Sequence, residues 1–230
     1  MEQLILPVEL RPESDFAEYL PGPNAEAHAA IVSWSMGTGE RFVYLFGPAG
    51  SGRTHLLQAA CRAGAGLGRQ VVYLPLAHSG LGPAVLEDLE YADLVALDDL
   101  QAVAGVADWE RALFALYNRL REGRGRLLMA ADAPAAELAL ELPDLRSRLR
   151  WGPAYRLESL GEADCARLLR EASARRGLTL RDDGIAYLMR RAPREPAALL
   201  ALLADLDRLC LQDQRRPTVP MLRRLLEQSG

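Results

Sequence analysis

Four short runs of apolar residues recur along the first 131 positions of the chain. They are FVYLF at 42–46, VVYLP at 71–75, LVALD at 94–98 and RLLMAA at 126–131. Such nearly continuous runs are typical of parallel strands that are covered on both faces. Segments with helical patterns separate them, at about 53–66, near 83–91 and at 109–123, and AYRLE at 154–158 is expected to form a fifth strand. The alternation predicts an α/β fold with a parallel sheet and right-handed crossovers.

The pattern changes after Leu160, where four amphipathic segments follow one another with turn residues between them. This pattern predicts a small all-helical domain that follows the α/β core in the chain. We therefore expect a flexible N-terminal tail at 1–12, a core at 13–158 and a helical lid at 159–230. Asn24, just before another helical segment, is predicted to be an N-cap.

Composition narrows the class of protein only modestly. The 230 residues include 27 Lys and Arg against 31 Asp and Glu, a net charge of −4, which argues against binding nucleic acid by bulk electrostatics. The three cysteines lie far apart without zinc-site spacing, which indicates buried reduced thiols: Cys61, Cys165 and Cys210. Neither a signal peptide nor an apolar run of about 18 residues is present, so we expect a cytoplasmic protein without a membrane partner.

A phosphate-binding pattern follows the first predicted strand. Residues 47–55 read GPAGSGRTH, which matches G-x-x-x-x-G-K-[ST] except that Arg53 replaces the lysine. Glycines let backbone N–H groups approach phosphate oxygens, and the helix that begins here adds its positive end. Thr54 is a candidate Mg²⁺ ligand; a glycine-rich turn without a ligand is the alternative. The candidate nucleotide-binding residues of this stretch are Gly47, Pro48, Ala49, Gly50, Ser51, Gly52, Arg53, Thr54 and His55.

Carboxylates end two of the later strands. Asp98 closes the third apolar run, where parallel sheets bind their ligands, and could hold Mg²⁺ through water. Asp99 occupies the position of a water-activating carboxylate, one methylene shorter than the usual glutamate. Asp132, after the fourth run, could sense a γ-phosphate. Solvated strand ends or a helix cap would give the same pattern.

Three arginines precede the predicted lid, in LPDLRSRLRWG at 142–152. A solvated basic surface is the plainer interpretation of Arg146, Arg148 and Arg150. Arginine also neutralises the charge that develops on a phosphoryl group during transfer, often from a neighbouring subunit.

The order of phosphate loop, aspartate pair, third aspartate, arginine segment and helical lid resembles the AAA+ ATPases, and within them the Hda family of DnaA-related regulators. The segments GPAGSGRTHLLQAA, LYNRL at 116–120 and LPDLRSRLRWG carry this resemblance, which extends over nearly the whole chain. It implies a P-loop AAA+ core with a five-stranded parallel sheet and an all-α lid.

The resemblance also implies partners and roles. The tail residues Gln3, Leu4, Leu6 and Pro7 are similar to the motif by which this family docks on the sliding clamp, the β subunit of DNA polymerase III. Arg148 would act in trans as an arginine finger on ATP held by the initiator DnaA, and DNA would be met only indirectly, through the clamp. The chain would itself bind ADP with Mg²⁺ and have weak or no ATPase activity, while its own homo-oligomerisation stays open.

Two features depart from the family pattern or remain open within it. Ala197 stands where a lid arginine is expected, and Arg194, one turn earlier, is the candidate substitute in nucleotide binding. Phe16, Tyr19 and Asn24 are candidates for the adenine pocket by resemblance only.

Two other functions compete with the regulatory one. The first is an autonomous AAA+ ATPase of the helicase-loader, DnaC-like type, and the second is a nucleotide-binding adaptor without effect on hydrolysis. Arg53, Asp99 and Ala197 favour weak hydrolysis by the chain itself and so favour the regulator.

Overall fold

The computed structural model describes residues 14–193, 195–213 and 216–228, with Gln228 described by its backbone alone. Two compact units divide the chain between Glu158 and Ser159. The first is an α/β domain and the second is all-helical.

Five parallel strands form one sheet in the first unit. In chain order they are β1 (Phe42–Phe46), β2 (Val71–Pro75), β3 (Leu94–Asp98), β4 (Arg126–Ala131) and β5 (Ala154–Arg156). Their spatial order is β2-β3-β4-β1-β5, and every neighbouring pair is parallel. The predicted parallel five-stranded sheet is therefore confirmed, although β5 is shorter than the run AYRLE suggested.

Four helices belong to the same unit: α1 (Ala25–Ser35), α2 (Arg53–Gly66), α3 (Ala107–Glu122) and α4 (Pro143–Leu149). The helix predicted near 83–91 is wrong. Two short 3₁₀ turns stand there instead, at Pro83–Leu86 and Leu89–Tyr91. They are separated by Asp88, whose left-handed backbone (φ 60°) interrupts any continuous helix.

Alternate residues of each strand face opposite sides of the sheet, and each side has its own core. Val43 and Leu45 of β1 pack with helices α1 and α2, whereas Tyr44 packs with α3 and α4. The same alternation holds along β3 and β4, so the strands are buried on both faces. This double burial explains why the strands read as continuous apolar runs.

Polar side chains tie the loops at the edges of this domain. Arg126, at the start of β4, donates to the carbonyls of Gly39 (2.8 Å) and Glu40 (2.7 Å). Asn24 occupies the N-cap position of α1 that the sequence predicted, but its side chain makes no capping hydrogen bond to α1, because it pairs with the backbone of Glu158 instead. These distant partners explain why local sequence did not reveal either role.

The second unit contains helices α5 (Glu162–Arg175), α6 (Asp182–Arg191), α7 (Pro196–Asp213) and α8 (Val219–Gln228). Their apolar faces meet in one core, which includes Leu169, Leu188, Leu203 and Leu222. Four amphipathic helices were predicted here, and four are present.

Glu110 is the most deeply buried carboxylate of α3, with 1% of its surface exposed. Its oxygens accept hydrogen bonds from the backbone N–H groups of Gly105 (2.7 Å), Glu141 (3.0 Å) and Leu142 (2.6 Å). Burial alone would raise the pKa of Glu110, but these three donors and the nearby charge of Arg146 hold it below its usual value. Glu110 thereby fixes the loop that precedes α4.

We predict that Glu110→Gln lowers the free energy of unfolding by about 1–3 kcal/mol near neutral pH, because an amide cannot accept all three hydrogen bonds. A depressed folded-state pKa contributes stability above the unfolded value of 4.5, and this contribution is lost as pH falls through the lower folded value. Urea unfolding at about pH 7 and about pH 4 should therefore show a smaller difference between variant and wild type at the acid pH. Glu137→Gln changes an exposed glutamate and serves as the control. An equal loss at both pH values would contradict this role for Glu110.

Candidate nucleotide site

The loop 47–54 lies between the end of β1 and the start of α2, at the carboxyl edge of the sheet. Gly50 (φ 75°) and Gly52 (φ 93°) hold left-handed backbone that residues with a Cβ rarely adopt. Gly47 is required for another reason, because a Cβ there would lie 2.4 Å from the carbonyl oxygen of Leu157. The loop therefore needs glycine at the positions where the sequence pattern has it.

Two polar groups around this loop are buried and have no hydrogen-bond partner among the residues that the structure describes. They are the hydroxyl of Ser51 and the Nη1 of Arg53. Buried donors without partners are costly in a folded protein, and a bound anion at the end of a helix would satisfy them. The loop is thus suited to phosphate, with Arg53 supplying a planar guanidinium where a lysine would supply a compact ammonium.

Asp98 lies at the end of β3, and only 1% of its surface is exposed. It accepts hydrogen bonds from the hydroxyl of Tyr73 (3.0 Å) and from the N–H of Asp99 (3.0 Å). Burial raises the pKa of Asp98, and the hydroxyl of Thr54 opposes that shift. The structure thus brings together the two residues that the sequence proposed as Mg²⁺ ligands, Thr54 and Asp98.

A chain of buried polar side chains supports Asp98, and no sequence pattern indicated it. Ser14 donates to the side-chain oxygen of Gln58 (3.0 Å), and Gln58 in turn hydrogen-bonds Tyr73. Cys61 is near as well, since burial and the charge of Asp98 raise the pKa of its thiol to about 12. These residues on α2 and β2 hold the carboxylate in place and keep the thiol protonated.

Gln101 is a second residue that the sequence did not single out. Its amide donates to Asp99 Oδ1 (2.9 Å), and its carbonyl oxygen accepts from the N–H of Asp132 (3.2 Å). Asp99 itself has left-handed backbone (φ 57°), which turns the chain back towards β4. Gln101 therefore connects the two strand ends on which Asp99 and Asp132 stand.

Arg53 and Asp132 both lie close to Tyr44 of β1. Burial raises the pKa of Tyr44, the negative charge of Asp132 raises it further, and the positive charge of Arg53 opposes both. The hydroxyl of Tyr44 donates to the carbonyl of Ala133 (2.7 Å). The guanidinium and the third candidate carboxylate thus share one neighbour at the carboxyl edge of the sheet.

An aromatic cluster lies beside the phosphate loop. The ring of Tyr19 stacks on His28 with centroids 5.5 Å apart, and Phe16 meets His28 edge-on at 5.4 Å. A Cβ on Gly52 would lie 2.8 Å from the Tyr19 ring, and the Nε2 of His55 donates to the carbonyl of Asp15 (2.9 Å). Burial lowers the pKa of His28, whose Nε2 is buried without a hydrogen-bond partner among the described residues.

The members of this cluster differ from the sequence-based candidates for the adenine pocket in two ways. His28 was missed, although its stacking makes it the centre of the cluster. Asn24 was proposed, but its amide already donates to Glu158 and to the hydroxyl of Tyr19 (3.2 Å). Aromatic rings beside an imidazole nitrogen that has no hydrogen-bond partner among the described residues fit a heterocyclic base.

Arg148 lies away from this site. Its guanidinium carbon is 4.0 Å from the centre of the Trp151 ring and 5.8 Å from that of Phe114. With Phe42, at the start of β1, it lines the same small gap. The phosphate loop follows the other end of β1, about 13 Å further along a strand of this length.

The two other arginines of this segment have separate environments. The guanidinium of Arg146 donates to the carbonyl of Leu140, and Arg150 is exposed at the end of α4. Arg146 is therefore a structural residue of the loop that Glu110 also fixes.

Whether the site suits Mg²⁺ can be judged from its donors. Among the described residues no group of three or more His, Cys, Asp or Glu side chains is placed to hold a metal ion. Mg²⁺ is commonly held by one or two carboxylates together with phosphate oxygens, which Asp98 and Thr54 would allow. The residues thus fit an ion that arrives with a nucleotide.

Several predicted site residues lie outside the described residues. They are the clamp-binding candidates Gln3, Leu4, Leu6 and Pro7, and the lid arginine Arg194. Ala197 is exposed in the first turn of α7. No helix in the described part of the chain is both long and apolar enough to span a bilayer.

Residues 162–226 match the family model of the Hda lid domain. The helical unit thus matches the lid of that family, from α5 into α8. The resemblance to Hda that the sequence suggested is thereby confirmed where the family model applies, from α5 to α8.

Solved structures establish the fold of the chain as a whole. Domain III of the replication initiation protein DnaA from Thermotoga maritima has a TM-score of 0.79 at 19% identity, over 96% of this chain and 98% of that one. AMPPCP-bound DnaA from Aquifex aeolicus scores 0.73 at 21% identity, over 86% of this chain and 66% of that one. A RuvB variant from Thermotoga maritima scores 0.68 at 15% identity, over 95% and 72%.

These similarities confirm the AAA+ fold that the sequence predicted, a P-loop core followed by a helical lid. Together with the Hda lid they support a DnaA-related replication regulator. The AMPPCP in the Aquifex aeolicus protein shows that a DnaA of this fold binds nucleotide.

We predict that Gly47→Ala weakens ADP binding by about tenfold or more, because the new Cβ would displace the loop from the carbonyl of Leu157. Calorimetric titration with ADP and Mg²⁺ would measure the change. The matched control is Gly66→Ala at the exposed end of α2, where nothing lies within 4 Å of an added Cβ. That variant should keep its ADP affinity and gain about 0.5–1 kcal/mol of stability. Equal ADP affinities for the two variants would contradict the assignment of the loop.

Proposed function

We propose that this chain is a regulatory AAA+ protein that binds ADP and Mg²⁺, docks on the DNA-loaded sliding clamp and stimulates ATP hydrolysis on the initiator DnaA. Initiators left with ADP would not start another round of replication. The Hda lid and the DnaA-like core support this proposal. The observation that carries it is the separation, along β1, of the phosphate loop from Arg148.

The chain's own nucleotide would be held by Arg53, Ser51, Thr54 and Asp98. A planar guanidinium binds phosphate oxygens in a fork and does not reproduce the compact charge of a lysine. We therefore expect a site that retains a diphosphate better than it promotes hydrolysis. In this role ADP is a structural ligand that orders the loop 47–54 and the aromatic cluster beside it.

In this proposal Arg148 serves another chain's nucleotide and not its own. It stands at the opposite end of β1 from the phosphate loop, on a surface formed by α3 and α4. The guanidinium of Arg148 lies over the indole ring of Trp151. Trp151 is 54% exposed, so a partner can reach both side chains. An arginine supplied in trans stabilises charge on a transferring phosphoryl group, which can accelerate hydrolysis by about 10³-fold or more.

Docking on the clamp would bring the chain to replicated DNA. The segment 3–7, QLILP, offers a glutamine for hydrogen bonds and two leucines for an apolar groove, which is how short peptides bind such grooves. DNA would then be contacted through the clamp, in keeping with a net charge of −4. Hydrolysis on DnaA would depend on that assembly.

The decisive test is single-turnover hydrolysis of ATP preloaded on the cognate DnaA, with DNA-loaded clamp, ADP and this protein present. We predict that Arg148→Ala reduces the stimulated rate by on the order of 10³-fold, or to the unstimulated rate if that is reached first. Gln3→Ala should remove the part of the stimulation that depends on the clamp.

Arg124→Ala is the matched control, since it removes an exposed arginine between α3 and β4 and should leave the stimulation intact. Wild-type protein that fails to accelerate hydrolysis would overturn the proposed function. If Arg148→Ala still stimulates hydrolysis, the proposed activity stands, but Arg148 is not the arginine finger.

Arg53→Lys tests the chain's own site. We predict slow ATP turnover by the isolated wild-type protein and a rise of roughly tenfold in the variant, since a lysine would reach the γ-phosphate that the guanidinium does not stabilise as well. A steady-state phosphate-release assay measures both rates, and Arg124→Lys makes the same exchange at an exposed position.

The second candidate function, an autonomous ATPase of the helicase-loader type, is favoured by the arrangement in which Gln101 joins Asp99 to Asp132. Such an arrangement retains carboxylates at both positions where water could be activated. Brisk turnover by the wild type would support that candidate and would contradict a structural role for ADP.

A further inference from the structure

Trp151 differs from the two other tryptophans of the chain in its exposure. Trp34 and Trp109 are buried in the two cores of the α/β domain, whereas 54% of Trp151 is exposed. It follows α4 directly, in the segment RWG that leads into β5. A half-exposed indole offers one of its faces to a cation, since the face of the ring is its negative side.

Two guanidinium groups lie over this ring. The central carbon of Arg148 is 4.0 Å from the ring centre, and that of Arg121, from the last turn of α3, is 4.4 Å from it. Both distances are well within the roughly 6 Å over which cation–π attraction acts. The charges of both arginines also lower the pKa of Tyr117, in opposition to the effect of burial, which places all three side chains in one neighbourhood.

The indole holds Arg148 without neutralising it. The Nε of Arg148 is buried and has no hydrogen-bond partner, so the ring supplies a large part of the order of this side chain. A carboxylate in the same place would also fix the guanidinium, but it would compete with phosphate for the same donors. An aromatic face leaves the N–H groups available to an anion.

Preordering matters for a residue that acts on a partner. A free arginine side chain loses rotamer entropy when it is immobilised. If the folded protein already holds the side chain in place at the surface, this entropy is lost during folding. The loss then does not add to the activation barrier of hydrolysis. Arg121, on the same ring, adds a second positive charge that favours a phosphate-bearing partner.

We propose that Trp151 is the positioning residue for Arg148, holding its guanidinium at the protein surface for a phosphate group that a partner chain presents. This inference rests on the proposed function of Arg148 as a finger. It assigns to Trp151 an effect on the maximal rate of stimulated hydrolysis and not on the chain's own nucleotide site.

The test titrates DnaA carrying ATP with this protein, in the presence of clamp and ADP, so that the maximal rate and the half-saturating concentration are measured separately. We predict that Trp151→Ala lowers the maximal rate roughly two- to fivefold, the range expected from an exposed cation–π contact. Trp151→Phe should retain more activity than the alanine variant. Unfolding temperature and ADP affinity should stay unchanged, and Tyr91→Ala, at another exposed aromatic residue, is the control.

A double-mutant cycle separates this inference from the function on which it rests. Trp151→Ala should have no further effect in an Arg148→Ala background if the ring acts through the arginine. A full rate in Trp151→Ala, or an equal loss in both backgrounds, would overturn the positioning role. If Arg148→Ala alone is without effect, the assignment of the arginine finger to Arg148 fails first, whereas a wild-type protein that does not stimulate hydrolysis overturns the proposed function itself.

A measurement on the isolated chain checks the contact itself. Ring currents from Trp151 should shift the δ-proton resonances of Arg148 upfield in nuclear magnetic resonance spectra, and Trp151→Leu should remove that shift. Wild-type resonances at random-coil positions would contradict the preordered contact irrespective of any result with DnaA.

Discussion

The parallel direction of the five strands is the constraint on which the rest of the molecule depends. Because β1, β3 and β4 run the same way, their carboxyl ends meet at one edge, which places the phosphate loop, Asp98 and Asp132 side by side although they are far apart in sequence. Parallel strands also need crossovers on both faces, and the helices that supply them cover two separate cores. The same geometry leaves the start of β1, with Arg148 and Trp151, at the other edge.

At the carboxyl edge of the sheet, hydrogen bonds from buried polar groups determine which charged side chains are stable. Asp98 has lost nearly all contact with water, so its anion depends on Tyr73, on the N–H of Asp99 and on Thr54. In the phosphate loop, the hydroxyl of Ser51 and the Nη1 of Arg53 are buried donors for which no described residue supplies an acceptor. A site with a supported carboxylate and unsatisfied donors is arranged in advance for a phosphate with its cation.

Sequence predicted the parts of this fold that local patterns encode. The strands follow from continuous apolar runs, and the loop 47–54 follows from glycines whose backbone angles and close contacts exclude other residues. What it missed depends on distant partners. Asn24 looked like a helix cap, yet its amide pairs with Glu158, more than a hundred positions away. Gln101 has no pattern of its own, because its role arises only where the turn at Asp99 returns towards β4. The segment 83–91 begins with a proline, as helices often do, but the left-handed backbone of Asp88 prevents a continuous helix.

Arg53 and Arg148 show how one residue type takes two roles by position alone. Arg53 belongs to the loop that would bind phosphate, and it shares Tyr44 as a neighbour with Asp132. Arg148 lies on an exposed indole, without a bound carboxylate, so its charge remains available at the surface. A finger placed there cannot reach the phosphate loop of its own chain across the length of β1. For such an arrangement to promote hydrolysis, a second protein has to bring a nucleotide to it, and the clamp-bound initiator of the proposed function meets that requirement.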